Sequence, residues 1–172
     1  TLAGFLSTSR EDLAAKIRYL YKTVGSCLAP FDSYLLIRGI KTLPIRMEKA
    51  QENAQAIVEF LLQEKKVTKV YYPGIEGTKA YEICKKQASG FGSMLTFEVE
   101  SKELALHILK STKLIPFVET LLTYPTTQTH ADVPEEVRIR NGITDRVLRL
   151  SVGIEDKADL IADLRQAIDS YR

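Results

Sequence analysis

The chain has 172 residues, 45% of them hydrophobic and 27% charged, a composition that excludes disordered, collagen-like and coiled-coil classes. Its 24 basic and 22 acidic side chains leave a formal charge of +2, and its longest basic runs are the pairs Lys65-Lys66 and Lys85-Lys86. No phosphate-reading stripe is present, so nucleic acid is not expected as a partner. No apolar run approaches the ~20 residues of a membrane helix, so no membrane partner is expected. Cys27 and Cys84 lie far apart without ligand spacing and read as reduced, buried thiols of a cytoplasmic protein.

The start, Thr1-Leu-Ala-Gly-Phe-Leu, has no initiator Met, basic region or cleavage site and reads as a strand already under way, over residues 2–7. The chain is therefore expected to begin in mid-protein. Thr8 with Glu11, or Ser9 with Asp12, resembles a capping box. The helix it opens carries Leu13, Ile17, Leu20, Tyr21 and Val24 at helical spacing and stops at Gly25. Pro30 opens a second helix containing Tyr34, Leu35 and Ile37. From Arg46, a face of Met47, Ala50, Ala54, Ile57, Val58 and Leu61 opposes Glu48, Lys49, Glu52, Gln55 and Glu59, a helix of four to five turns.

Beyond it the pattern alternates. Residues 67–72 read as a strand ended by Pro73-Gly74, residues 78–87 as a helix, and 93–99 as a half-buried strand. Ser101 caps a helix with Leu104, Ala105, Ile108 and Leu109 inward. Residues 113–117, 120–123 and 146–152 read as strands, and Asp156 caps a last helix bearing Leu160, Ile161, Leu164, Ala167 and Ile168. This order predicts an α/β (α+β) fold in two layers, an antiparallel or mixed sheet with helices on one face. A boundary falls near Pro44, giving segments 1–44 and 45–172.

The chemistry-bearing inventory is short. There is no G-x-G-x-x-G, Walker loop, G-x-S-x-G or HExxH, and no metal site is expected. His107 sits in a helix and reads as a surface or boundary residue. His130, in the hydroxyl-rich stretch Tyr124-Pro-Thr-Thr-Gln-Thr-His-Ala131, reads first as a local hydrogen-bonding residue and second as site-lining. Glu135-Glu136 and Glu155-Asp156 start helices, where the dipole favours them. Arg149 is different. It stands in mid-strand between Leu148 and Leu150, where a guanidinium is costly to bury unless an anion meets it. Its planar fork suits a carboxylate. A ligand carboxylate is the leading reading; an internal ion pair or an exposed sheet face are the alternatives.

Arg149-Leu-Ser-Val-Gly-Ile-Glu-Asp156, Tyr124 to Ala131, Gly142-Ile-Thr-Asp145, Arg38-Gly-Ile-Lys-Thr-Leu43 and Arg46-Met47 together resemble the C-terminal part of the cystathionine γ-synthase family. These are pyridoxal-phosphate enzymes of cysteine and methionine metabolism. The resemblance implies that residues 1–44 are the tail of a large cofactor-binding domain with connecting helices. Residues 45–172 would be the small C-terminal substrate-binding domain of a fold-type I enzyme. It implies pyridoxal 5'-phosphate as cofactor, held by an upstream domain that also carries the Schiff-base lysine, so that no catalytic or cofactor-binding residue falls in this chain and the chain alone is expected to be inactive. It assigns Arg149 to the clamp on the substrate's α-carboxylate and Thr129 to the support of that site, in a homo-oligomer, a tetramer when full length. The reaction it implies is γ-replacement on an O-acylated homoserine, as in methionine biosynthesis; elimination by a cystathionine β- or γ-lyase is the alternative. A non-catalytic domain that only assembles or binds is the alternative of another class. One departure stands out: the family's Ser-Leu-Gly-Gly turn is missing where Phe117 runs straight into Val118-Glu119-Thr120-Leu121.

Overall fold

A computed structural model describes residues 3–171, and the chain divides into two compact units, Thr1–Pro44 and Ile45–Arg172. The first unit carries α1 (Glu11–Val24) and α2 (Pro30–Ile40), with Pro30 at the first turn of the latter. The expected capping box does not form. Arg10 takes the N-cap position and grips Asp12 with its guanidinium at 2.7 Å, while the Thr8 hydroxyl accepts only the Arg10 N–H. Gly25 ends α1 in the left-handed region at φ 75°, where its N–H reaches the Tyr21 carbonyl and a side chain would be strained. Neither helix buries a residue: Val24 is 69% exposed and Phe31 70%. Of the expected first strand, residues 3–7 form no strand because nothing pairs with them among the described residues, and Leu2 lies outside that range.

The second unit is built on a four-stranded antiparallel sheet of β1 (Val67–Tyr71), β2 (Met94–Val99), β3 (Leu121–Thr123) and β4 (Val147–Ser151), in the order β1-β2-β4-β3. The last strand in sequence is thus inserted in the middle of the sheet. Leu95, Phe97 and Val99 of β2 and Leu148 and Leu150 of β4 point to one face and are fully buried, as the period of two requires. Three helices cover that face: α3 (Leu43–Gln63) with Ala54, Ile57 and Leu61, α5 (Lys102–Ser111) with Leu104, Ala105 and Ile108, and α8 (Lys157–Asp169) with Leu160, Leu164 and Ile168. Met47, expected on the buried face of α3, stays 42% exposed. Thr78, Ser101 and Asp156 cap α4 (Lys79–Gln87), α5 and α8 by accepting N–H groups from Tyr81, Leu104 and Ala158.

Residues 113–117, expected as a strand, instead lead into a 3-10 turn, Ile115–Phe117. The cause is Asp163 on α8. Its carboxylate accepts the N–H groups of Lys113, Leu114 and Ile115 at 2.8, 2.9 and 3.0 Å, and an extended strand cannot aim three consecutive N–H groups at one acceptor. The cysteines are free thiols, as expected, but not buried: Cys27 is exposed and Cys84 half-buried.

Two outcomes are expected from this packing. Phe97→Ala, which empties the fully buried centre of β2, should cost about 3–5 kcal/mol in urea denaturation. Asp163→Asn should cost about 2–3 kcal/mol, since charge-assisted bonds to backbone N–H groups are lost. Burial pushes the Asp163 carboxyl up, but the N–H groups of Lys113, Ile115 and Leu114 and the Gln166 amide outweigh it and hold its pKa below the ordinary value. Its stabilisation is therefore complete above the unfolded pKa of about 3.9 and is lost as pH falls through the lower native value. Between pH 7 and pH 3 the unmodified chain should accordingly lose more stability than Asp163→Asn.

Candidate substrate-binding cleft

The face of the sheet opposite the helices carries the chemistry. Cross-strand pairing puts Tyr71, Thr96, Arg149 and Thr123 in one row across all four strands. Arg149 is half-buried there, and the Thr123 hydroxyl donates to its backbone carbonyl at 3.2 Å. Tyr71, Thr96 and Arg149 form one wall of a cleft of about 260 Å³, completed by Val147, Pro125, His130, Asn141, Gly142 and Ile143.

The opposite wall is irregular chain made rigid by local bonds. Tyr124 leaves β3 and precedes α6 (Pro125–Gln128); its N–H donates to Gln128 Oε1 at 2.8 Å and its hydroxyl to the Asp145 carbonyl at 2.8 Å. Burial pushes the Tyr124 phenol pKa up, so it stays a donor. The His130 N–H returns to the Pro125 carbonyl at 2.9 Å, and the Thr126 hydroxyl donates to the Thr144 carbonyl at 3.1 Å. After α7 (Glu135–Arg140), Gly142 turns the chain at φ 77° while its N–H and that of Ile143 go back to the Ile139 and Arg138 carbonyls. A residue with a Cβ would be strained there.

Acids of the sheet and its flanking loops are already engaged. Glu98 pairs with Arg146 at 2.7 Å, Asp145 faces Lys102 at 4.0 Å, and Glu155 accepts the N–H and hydroxyl of Thr120 at 2.7 and 2.8 Å. Among the described residues, no carboxylate pairs with the Arg149 guanidinium. Positive charge is reinforced by Lys69, whose ammonium sits 4.7 Å from the centre of the Tyr71 ring.

Thr129 is exposed and is not part of the cleft wall; its hydroxyl lies 2.8 Å from His130 Nδ1. The bond fixes the imidazole, leaving Nε2 as its other polar atom. His130 is thus both hydrogen-bonded locally and part of the wall. His107 is half-buried and lies 2.9 Å from the Ser170 hydroxyl. Tyr71, Thr96 and Asn141 were not singled out from sequence; alternation marks them as one face of a strand, but only the strand order sets them beside Arg149. Among the described residues no cluster of three His, Cys, Asp or Glu side chains suits a metal, and no helix is long and apolar enough to cross a membrane. The cleft residues fit an amino acid's carboxylate rather than pyridoxal phosphate: they offer one guanidinium, and no lysine is among them.

Residues 1–169 match the family model for Cys/Met metabolism PLP-dependent enzymes. A cystathionine gamma-lyase of Dictyostelium discoideum is 44% identical over 173 residues, covering 96% of this chain and 45% of that protein. A cystathionine gamma-synthase of Haemophilus influenzae is 44% identical, covering 99% of this chain and 44% of its own length. That alignment runs over 177 residues, five more than the 172 of this chain, so the relative carries positions that this chain lacks. The crystal structure of cystathionine gamma-lyase from Lactobacillus plantarum complexed with L-serine superposes with a TM-score of 0.87 at 38% identity, over 95% of this chain and 44% of that one. The chain spans a little under half the length of these relatives. With the family model matched over nearly its whole length, the chain belongs to the pyridoxal-phosphate-dependent enzymes of cysteine and methionine metabolism, the trans-sulfuration group.

Proposed function

We propose that this chain is the C-terminal, substrate-binding portion of an enzyme that makes or breaks the C–S bond of a cystathionine-type amino acid, with Arg149 as the clamp on the substrate α-carboxylate. The observation that carries this reading is the Arg149 guanidinium, half-buried in a cleft and without a carboxylate partner among the described residues. A half-desolvated guanidinium with no internal anion is set up for one that arrives. The fork takes the carboxylate in two parallel N–H···O bonds and fixes the orientation of Cα. The Thr96 hydroxyl on the same wall and His130 on the opposite one, held by Thr129, offer further polar atoms; Thr129 acts through the imidazole.

Pyridoxal phosphate, when bound, supplies the electron sink for the reacting amino acid. In this reading it is held by an upstream domain, of which residues 1–44 are the tail, and the working enzyme is a homo-oligomer. The γ-replacement reading rests on the run Thr123 to Pro134; relatives of equal identity are named as a lyase and as a synthase. Product analysis separates them. An oxo acid and ammonia released from cystathionine alone mark elimination, and consumption of an O-acylhomoserine with cysteine marks γ-replacement.

Arg149→Lys keeps the charge and loses the fork. In the holoenzyme, kcat/KM should fall by about 1–3 kcal/mol in transition-state terms, with the cofactor absorbance band unchanged. Steady-state kinetics at wild-type activity would sink the clamp.

A further inference from the structure

The segment that enters β3 is bound to the loop that leaves β4 by a buried set of polar contacts. Glu155 accepts the Thr120 N–H at 2.7 Å and the Thr120 hydroxyl at 2.8 Å; that hydroxyl in turn accepts the Gly153 N–H at 2.9 Å. Asn53, fully buried on α3, donates to the Gly153 and Glu155 carbonyls at 3.0 and 2.7 Å. Thr120 is 1% exposed. The approach is close enough to require glycine: a Cβ on Gly153 would lie 2.5 Å from Glu155 Oε2 and 3.0 Å from the Thr120 nitrogen. Asn53 Oδ1 is left buried without a partner, a cost accepted to hold this geometry.

These contacts sit at one end of a ladder that ends at the clamp. β3 has only three residues, paired Leu121 with Ser151 and Thr123 with Arg149. Thr120 is the residue just before that ladder, and Tyr124, just after it, opens the wall that holds Pro125 and His130. A three-residue edge strand has too few ladder bonds to fix its own register against fraying. The Glu155–Thr120 contact supplies the missing anchor. Its partners match this role: burial pushes the Glu155 carboxyl up, while the N–H groups of Thr120, Glu155 and Glu119 and the Thr120 hydroxyl outweigh it and keep it ionised.

We propose that Glu155 is a positioning residue for the substrate-carboxylate site: through Thr120 it sets the register of β3 on β4, and so the spacing between Arg149 and the His130 wall. The inference rests on the reading of Arg149 as the carboxylate clamp. An error of about 1 Å in such spacing is worth up to about a hundredfold in binding or rate.

The test is an NMR titration of the full 172-residue chain with L-serine, following the Arg149 Nε–H and His130 ring signals. Glu155→Gln should weaken L-serine binding about five- to tenfold and shift both signals before ligand is added, while the amides of Phe97 and Leu148 stay in place. Thr120→Val, which removes the hydroxyl arm, should do the same, and Thr120→Ser should bind as the unmodified chain does. Should Glu155→Gln fail to fold, the Thr120 pair decides alone. If Arg149→Gln abolishes binding while Glu155→Gln and Thr120→Val bind normally, the positioning role is overturned and the clamp stands. If Arg149→Gln binds as tightly as the unmodified chain, or the unmodified chain does not bind, the clamp itself is overturned and the positioning role with it.

Discussion

A charged side chain in the middle of a strand whose two neighbours are fully buried fixes most of what surrounds it. Leu148 and Leu150 must face the helices, so Arg149 must face the other way. The sheet can then be covered on one side only, because a second apolar layer over Arg149 would bury an unpaired guanidinium at a cost of several kcal/mol. The chain meets this by laying α3, α5 and α8 on one face and short, hydroxyl-rich segments around the other. The two-layer architecture and the cleft are one solution to the same constraint.

The stretch from Lys113 to Thr120 shows how side chains replace a missing strand. Asp163 collects three N–H groups at its start, Glu155 takes the N–H and hydroxyl at its end, and Arg46 pairs with Glu119 beside them. All three grips come from α3, α8 or the loop before α8, the elements that already pack on the sheet. The carboxylates therefore add polar ties between the helical layer and the edge strand to the packing of Ile115 and Leu122 in the core. Pro116 and Val118 lie between the grips.

The sequence spoke most clearly where one physical signal acts alone. The alternation of Leu95, Phe97 and Val99 and the spacing of Leu160 and Leu164 placed β2 and α8, and the position of Arg149 between Leu148 and Leu150 set it on the face away from them. It was silent where two distant segments decide together. Asp163 lies some fifty positions from the N–H groups that it bends away from a strand, so residues 113–117 looked extended on their own. The apolar stripe of α1 was legible, but amphipathic spacing reports a face to be covered and not what covers it; hence Leu20 and Val24 stay exposed at 57% and 69%. The strand order, with β4 between β2 and β3, was equally hidden. Only that order makes Tyr71 and Thr96 neighbours of Arg149.

Charge allocation accounts for an Arg149 guanidinium without a carboxylate partner among the described residues of a chain with nearly as many acids as bases. Acids of the sheet and its flanking loops have partners of their own. Glu98 has Arg146 and the Thr144 hydroxyl, Asp145 has Lys102, and Glu155 has two donors on Thr120. Glu155 in particular satisfies the N–H of the buried Thr120, and an unsatisfied buried N–H costs about 1–3 kcal/mol. A half-exposed ion pair returns about 0–1 kcal/mol at best. The acid therefore stays with the backbone, and among the described residues no carboxylate pairs with the Arg149 guanidinium.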